Sequence, residues 1–262
     1  MKFNFIIPLA NSGEVDYNDR LGNVQMIINS FPKKDVNIIL VEQILNRTLP
    51  TYFEKLNVKN ANVTYKQVMN PVFNKGWLYN IGANTSKGQH LILGESDCTP
   101  NTPMKYFQEL GKTVDSLNRK WMFGWNKLLY IKADGKTINK IVKPQEGFAE
   151  GGLVYFNKQF FKSMGGASEF MRELGGIDNE IAKRAAMGQP RYSFKWTIVH
   201  HWHKENTMKS NNWRYAEYRN QNRVIYNDVC KKGKIISNRL SYMKNGEARP
   251  MCDRMNWKSI SY

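Results

Sequence analysis

The sequence predicts an α/β protein with a mostly parallel central sheet flanked by helices. Two kinds of observation carry that reading. Val36–Val41 (VNIILV) and His90–Leu93 (HLIL) are short continuous apolar runs, the pattern of strands buried on both faces. Helical periodicity alternates with such runs over the first hundred residues. Strand–helix–strand alternation implies parallel pairing through right-handed crossovers.

The elements follow in order. Phe3, Phe5, Ile6 and Ile7 read as a first strand closed by Pro8. After polar residues 11–19, residues 20–31 place Leu21, Val24, Ile27 and Ile28 on one helical face. The VNIILV strand comes next, then a strand at 63–68, a helix at 75–86 and the HLIL strand. Residues 104–118 read as a helix. Residues 121–142 read as one or two strands with a turn at Ala133-Asp134-Gly135. A short strand is expected within 151–156, helices at 160–164 and 178–187, and a strand at 196–199. In such sheets ligands bind beyond the carboxyl ends of the strands. That singles out residues 9–13, Glu42-Gln43 and 94–99.

Composition narrows the class. The 262 residues are 41% hydrophobic and carry a net charge of +17, from 39 Lys+Arg against 22 Asp+Glu. That is too apolar for a disordered basic tail, and the charge calls for an anionic partner. Residues 204–262 hold 13 Lys/Arg and 5 Asp/Glu, so nearly half of the excess lies in the last 59 positions. Three cysteines, at 98, 230 and 252, match no zinc or redox spacing and suggest a reduced, cytoplasmic protein. The N-terminal apolar run is too short for a signal-peptide core, and no stretch approaches the ~18 apolar residues of a membrane span.

Four constellations can carry chemistry. Gly94-Glu95-Ser96-Asp97 sets two carboxylates two residues apart after a strand: a solvated acidic turn, or a pair facing a hard divalent cation. His200-His201-Trp202-His203 follows an apolar strand, and an extended chain would point His201 and His203 to one face. It is either an aromatic-polar surface turn or a source of metal ligands. Gly175-Gly176-Ile177-Asp178-Asn179-Glu180 opens a helix. Its acids are caps, or one is a general base for a hydroxyl. Phe73-Asn74-Lys75-Gly76-Trp77 is by pattern a helix start. No P-loop, dinucleotide fingerprint, nucleophile elbow or HExxH motif occurs.

The order of these pieces resembles the GT-A superfamily of nucleotide-sugar glycosyltransferases. The likeness is to the branch with β-1,4-galactosyltransferases, chondroitin polymerases and polypeptide GalNAc-transferases. FNKGWLYNIGA is similar to that branch's FNRxxxLNVG helix, and Val41-Glu42-Gln43 to its VEQ strand end. Gly94–Asp97 is similar to its DxD metal motif, with Glu95 for the first Asp. Gly151-Gly152 is similar to the double glycine before the acceptor region, and GGIDNE to WGGEDxE. Leu174 stands where the family has Trp, and Ile177 where it has Glu. The likeness spans roughly residues 3–205. It implies a catalytic domain over 1–205, with a nucleotide-sugar half to about 100 and an acceptor half from 101, followed by a basic, aromatic helical extension over 206–262.

The resemblance also implies roles. The donor is a UDP-sugar, and Mn²⁺ or Mg²⁺ is held by Asp97 and His203, with His201 the second choice of histidine. Pro8, Asn11, Glu42 and Phe73 frame the nucleoside. Lys75 and, less directly, Arg20 neutralise phosphate. Glu95, Ser96, Gly151 and Gly152 complete the donor side. Asp178 takes the acceptor proton in an inverting displacement, and Glu180 orients the acceptor with Gly175, Gly176 and Asn179. The charge and the segment Trp213-Arg214-Tyr215 to Tyr218-Arg219, which interleaves bases with aromatics, suit double-stranded DNA. The whole resembles the DNA-modifying glycosyltransferases of T-even-like bacteriophages, which act on hydroxymethylcytosine or its glycosylated form in the host cytoplasm. Two other readings stand beside it: a lipopolysaccharide or capsule transferase at a membrane surface, and a non-catalytic nucleic-acid-binding protein on this fold.

Overall fold

A computed structural model describes residues 2–11, 17–58, 62–144, 151–173, 175–204 and 213–232, the last with the side chains of 217–227. The first half alternates strand and helix as the sequence predicts. It runs β1 (Phe3–Ala10), α1 (Tyr17–Ser30), β2 (Val36–Ile44), α2 (Tyr52–Lys55), β3 (Val63–Met69), α3 (Lys75–Thr85) and β4 (His90–Leu93). Then come β5 (Cys98–Pro100), α4 (Pro103–Leu117), β6 (Trp121–Phe123), β7 (Lys127–Ile131), β8 (Ile138–Val142), β9 (Val154–Asn157), α5 (Lys158–Ser163), α6 (Ile177–Gly188), β10 (Thr197–His200) and α7 (Trp213–Lys232). Residues 121–142 thus form three short strands, with the 133–135 turn joining β7 to β8.

The main sheet has the order β3-β2-β1-β4-β9-β6. Its first four strands are parallel, and β9 runs antiparallel to both β4 and β6. The continuous apolar runs have their explanation here, because both faces of the sheet are covered. Phe3, Phe5, Ile7 and Leu9 of β1 join Val24, Ile27 and Ile28 of α1 and Phe107 and Leu110 of α4. Ile6, on the opposite face, joins Trp77, Leu78 and Ile81 of α3 and Ile177 and Ile181 of α6.

Pro8 does not close β1; it lies inside it. Its partner on one side is Val41 of β2, whereas β4 ends at Leu93, opposite Ile6. Ile6 accepts a bond from Gly94 on the β4 side. Pro8, two residues further, turns its donorless nitrogen to that same side, beyond the end of β4. The strand therefore carries the chain on to Asn11, at the carboxyl edge of the sheet.

A second sheet, β5-β10-β7-β8, sits beside the first. β10 pairs antiparallel with β5, and His200 stands opposite Cys98. This register brings the histidine cluster to the acidic turn a hundred residues earlier in the chain.

α7 fits the expected helical extension. It is docked on the α/β body through Asn222, whose side chain accepts from Arg172 N at 3.1 Å and donates to Arg172 O and Gly175 O at 2.8 and 3.0 Å. Ile225 and Tyr226 pack on the α3–α6 side of the core. Residues 233–262 lie outside the described residues.

Candidate active site

A cleft of about 540 Å³ opens at the carboxyl ends of the parallel strands. Pro8 and Asn11 line it from the end of β1, Glu95, Ser96 and Asp97 from the turn after β4, and Phe73 and Lys75 from the start of α3. Gly151, Gly152, Gly175, Gly176, Asp178 and Asn179 line its other wall. Segments separated by more than a hundred residues thus converge where the sequence placed the ligand.

Asp97 is the hub. It is buried, and His203 Nε2 stands 3.3 Å from its Oδ2 and His200 Nε2 3.8 Å from its Oδ1. The ligand atoms of Asp97, His200 and His203 lie within 4.8 Å of one another. Such spacing and a mixed N/O donor set suit a divalent ion of the Mn²⁺ kind, with positions left for other oxygens. Burial alone would raise the Asp97 carboxyl. His203, His200 and Arg20 together hold it well below the usual carboxylate range.

His201 is a correction. It faces away from Asp97, and its Nε2 meets Thr99 Oγ1 at 2.7 Å. Alternation along an extended chain would have paired His201 with His203. The strand ends at His200, however, so the alternation stops there. His200 takes the place beside Asp97, its ring stacked 4.4 Å from that of Tyr130. His203 is brought in by α1, since Asn23 donates to Trp202 O and Asp19 accepts from Lys204 N. Burial lowers the His201 imidazole to about 4. Between the ordinary value near 6.5 and about 4, the unfolded chain binds a proton that the fold refuses, so stability falls as pH drops through that window. Between pH 7 and pH 5 the parent should therefore lose more stability in chemical denaturation, or gain less, than His201→Gln, a comparison in which the contributions of the other titrating groups cancel.

Arg20 reaches the same carboxylate. Its guanidinium donates to Asp97 Oδ2 at 2.9 Å and Ser96 Oγ at 3.1 Å, and lies 3.2 Å from His203 Nε2. Lys75 differs from its expected role. Its ammonium bonds Glu95 Oε1 and sits 3.1 Å from both oxygens of Asp178. It is therefore committed to two carboxylates rather than presented to a phosphate. Burial outweighs the pull of Lys75 and, with the Asp178 and Asp97 charges, pushes the Glu95 carboxyl up to about 7. Gly151, at φ 52°, keeps this corner open: a Cβ there would lie 3.4 Å from Glu95 Oε1 and 3.7 Å from Asp178 Oδ2.

Asp178 is in the first turn of α6, but the N-cap is Gly176, at φ 89°. Its carboxylate is thus free of capping and turned toward Lys75. Glu180, two residues on, is a second correction. It is buried and paired with Arg184, which also donates to the carbonyls of Met164 and Gly166. Spaced four residues apart on one helix, the two form an internal strut, and Glu180 does not line the cleft. Glu180→Ala would strand a buried guanidinium, so we expect about 3–5 kcal/mol of lost stability in urea unfolding.

Glu42 is a third correction. It lies within β2 and accepts from Tyr52 N at 2.8 Å and Phe53 N at 3.4 Å, capping α2 from below. It anchors the buried Tyr52 at the edge of the cleft and does not line the cleft itself. The ring of Tyr52 lies 4.8 Å from that of Tyr17, and both edge the cleft. Sequence reading missed these two; Tyr17 stood in a segment read as polar, and the α2 turn carried only its Thr51–Glu54 capping box as a signal. Glu173, also missed, holds Phe73: their backbones bond at 2.8 Å, and the Glu173 carboxylate accepts from Phe73 N at 3.2 Å. Tyr218 and Arg219 of α7 do not line the cleft. The side chains of Trp213 and Arg214 lie outside the described residues.

Solved structures share the chain's architecture. S. aureus TarS in complex with UDP-GlcNAc superposes with a TM-score of 0.57 at 17% identity, over 83% of this chain and 64% of that one. GalNAc-T7 with UDP, GalNAc and Mn²⁺ gives 0.58 at 16% identity, over 78% and 44%. The mannosyltransferase PcManGT from Pyrobaculum calidifontis, with GDP-Man and Mn²⁺, gives 0.57 at 13% identity, over 89% and 65%. The fold is GT-A. The chain spans less than two thirds of the length of each of these proteins. No protein-family model and no curated protein matches the sequence. Among the described residues of this GT-A chain, no helix is long and apolar enough to cross a membrane.

Proposed function

We propose that the protein is a metal-dependent glycosyltransferase that moves a sugar from a UDP-sugar to a hydroxyl group. One observation carries the reading. A ligand set of Asp97, His200 and His203 and a lysine-held aspartate, Asp178, share one cleft at the strand ends of a GT-A fold. The similar structures contain UDP-sugar, UDP or GDP-Man, two of them with Mn²⁺. Asp97, His200 and His203 would hold a divalent ion, which when bound would supply electrophilic stabilisation for a departing diphosphate. Tyr17 offers a ring face to a nucleobase, backed by the buried ring of Tyr52, and Arg20 offers a guanidinium fork to phosphate oxygens. Asp178 accepts the proton of the attacking hydroxyl in a single displacement that inverts the anomeric centre. Lys75 fixes that carboxylate from both oxygens, so its direction is set before an acceptor arrives.

The acceptor we propose is hydroxymethylcytosine, or a sugar already attached to it, in double-stranded DNA. The support is electrostatic: a charge of +17 far exceeds what one diphosphate requires. UDP release should be measured with duplex DNA containing hydroxymethylcytosine, with unmodified duplex and with bacterial glycans. Release only with the modified duplex is the expected result. Release with glycan alone would move the acceptor to the cell envelope, and no release with any acceptor or by slow hydrolysis would remove the enzymatic reading.

A further inference from the structure

A second concavity, of about 1140 Å³, lies at the opposite pole of the main sheet. The cleft is made largely by residues that follow strands; this groove runs from residues that begin or precede strands along β3 and the end of α3. Lys2 stands before β1, Asn37 and Thr64 open β2 and β3, and Lys87 precedes β4. Lys66 of β3 completes a set of three exposed lysines on its wall. No carboxylate is among the described residues lining it. Lys33, Lys34 and Lys120 are exposed in the loops that enter β2 and β6 at this same pole. The cleft is mixed instead: Glu95, Asp97, Glu173 and Asp178 share its walls with Arg20, Lys75, His200 and His203. The rear groove therefore differs from the cleft in presenting lysines with no carboxylate among its described lining residues.

We propose that this rear groove binds the sugar–phosphate backbone of DNA, at a site separate from the cleft. Its chemistry fits that occupant. Lysines neutralise phosphates, and the side-chain amides of Asn37, Gln67 and Asn84, which also line it, are of the kind that contacts phosphate oxygens. The chain's own tail is a poor occupant, because residues 233–262 carry six Lys/Arg against two Asp/Glu and are repelled by the lysines. A membrane surface is also a poor fit. None of the large exposed apolar side chains, such as Phe53, Met104 and Trp202, lines the groove to anchor it in lipid. The groove retains the protein on a polymer while the cleft is empty. Because it needs no modified base, the inference stands apart from the acceptor proposed above.

The test is binding of unmodified, fluorescein-labelled duplex DNA, read by anisotropy over a salt series. The triple variant Lys2→Glu, Lys66→Glu, Lys87→Glu is compared with a control that reverses as much charge on the second sheet, Lys132→Glu, Lys136→Glu, Lys143→Glu. The groove variant should bind at least about tenfold more weakly and lose about 2–3 from the slope of log K against log salt, while the control changes far less. Equal losses in both variants would reduce the effect to net charge and overturn the proposal. Unchanged DNA affinity would overturn it too, as would a selective loss of binding to phosphatidylserine vesicles with DNA binding intact. Circular dichroism and UDP affinity should match the parent protein in both variants. UDP release on hydroxymethylcytosine duplex, measured separately, reports on the acceptor and not on the groove.

Discussion

Asp178→Asn is expected to lower sugar transfer by about 10²–10⁴-fold, the range over which a positioned general base contributes. Affinity for UDP should stay within about threefold, since Asp178 is not part of the Asp97, His200 and His203 ligand set. The substitution keeps shape and hydrogen bonding while removing the proton-accepting charge. It also leaves Lys75 with one carboxylate, Glu95, in place of two. A parallel Lys75→Met variant should reduce turnover as well, but for another reason: Asp178 would lose the cation that holds both of its oxygens. Restoring the cation as Lys75→Arg should recover part of the lost rate if orientation of Asp178 is what Lys75 provides. Asp178→Asn with full transfer activity, measured as UDP release under saturating donor, would remove it as the base.

How much of this was legible in the sequence depends on the range of the interaction. The β1–β4 alternation was readable because burial on both faces forces continuous apolar runs, a local pattern. The site was readable as positions: Asp97, Asp178, Lys75 and His203 all reach the cleft. Their pairings were not. The Lys75–Asp178 contact joins residues 103 apart, and Arg20–Asp97 joins residues 77 apart. Nothing local distinguishes a lysine aimed at a phosphate from one aimed at a carboxylate. Glu180 shows the same limit at short range. An i, i+4 Glu–Arg pair is usually a solvated surface pair, and only the tertiary fold buries it beneath the 164–166 turn. The choice between His200 and His201 turned on where a strand ends, the boundary that sequence patterns specify least.

Asp97→Ala is expected to abolish Mn²⁺ binding, and Arg20→Ala to strengthen it in the absence of nucleotide. Both follow from one arrangement. The Asp97 oxygen that faces His203 also accepts from Arg20, so a cation entering there must displace a guanidinium and then bear its repulsion. A charge-assisted bond of this kind is worth about 1.5 kcal/mol in a partly exposed site, so freeing Asp97 should tighten Mn²⁺ about tenfold. With UDP present the sign should reverse. The displaced Arg20 then has phosphate oxygens to bind, and its removal costs that contact. Arg20 thus couples cation to diphosphate: each should bind more tightly with the other in the parent protein, and by linkage the factor must be the same in both directions. Titration calorimetry of Mn²⁺ with and without UDP, in both proteins, completes the cycle. Arg20→Ala should lose most of the coupling, while Mn²⁺ affinity that falls without nucleotide would show that Arg20 supports the cation instead of competing with it.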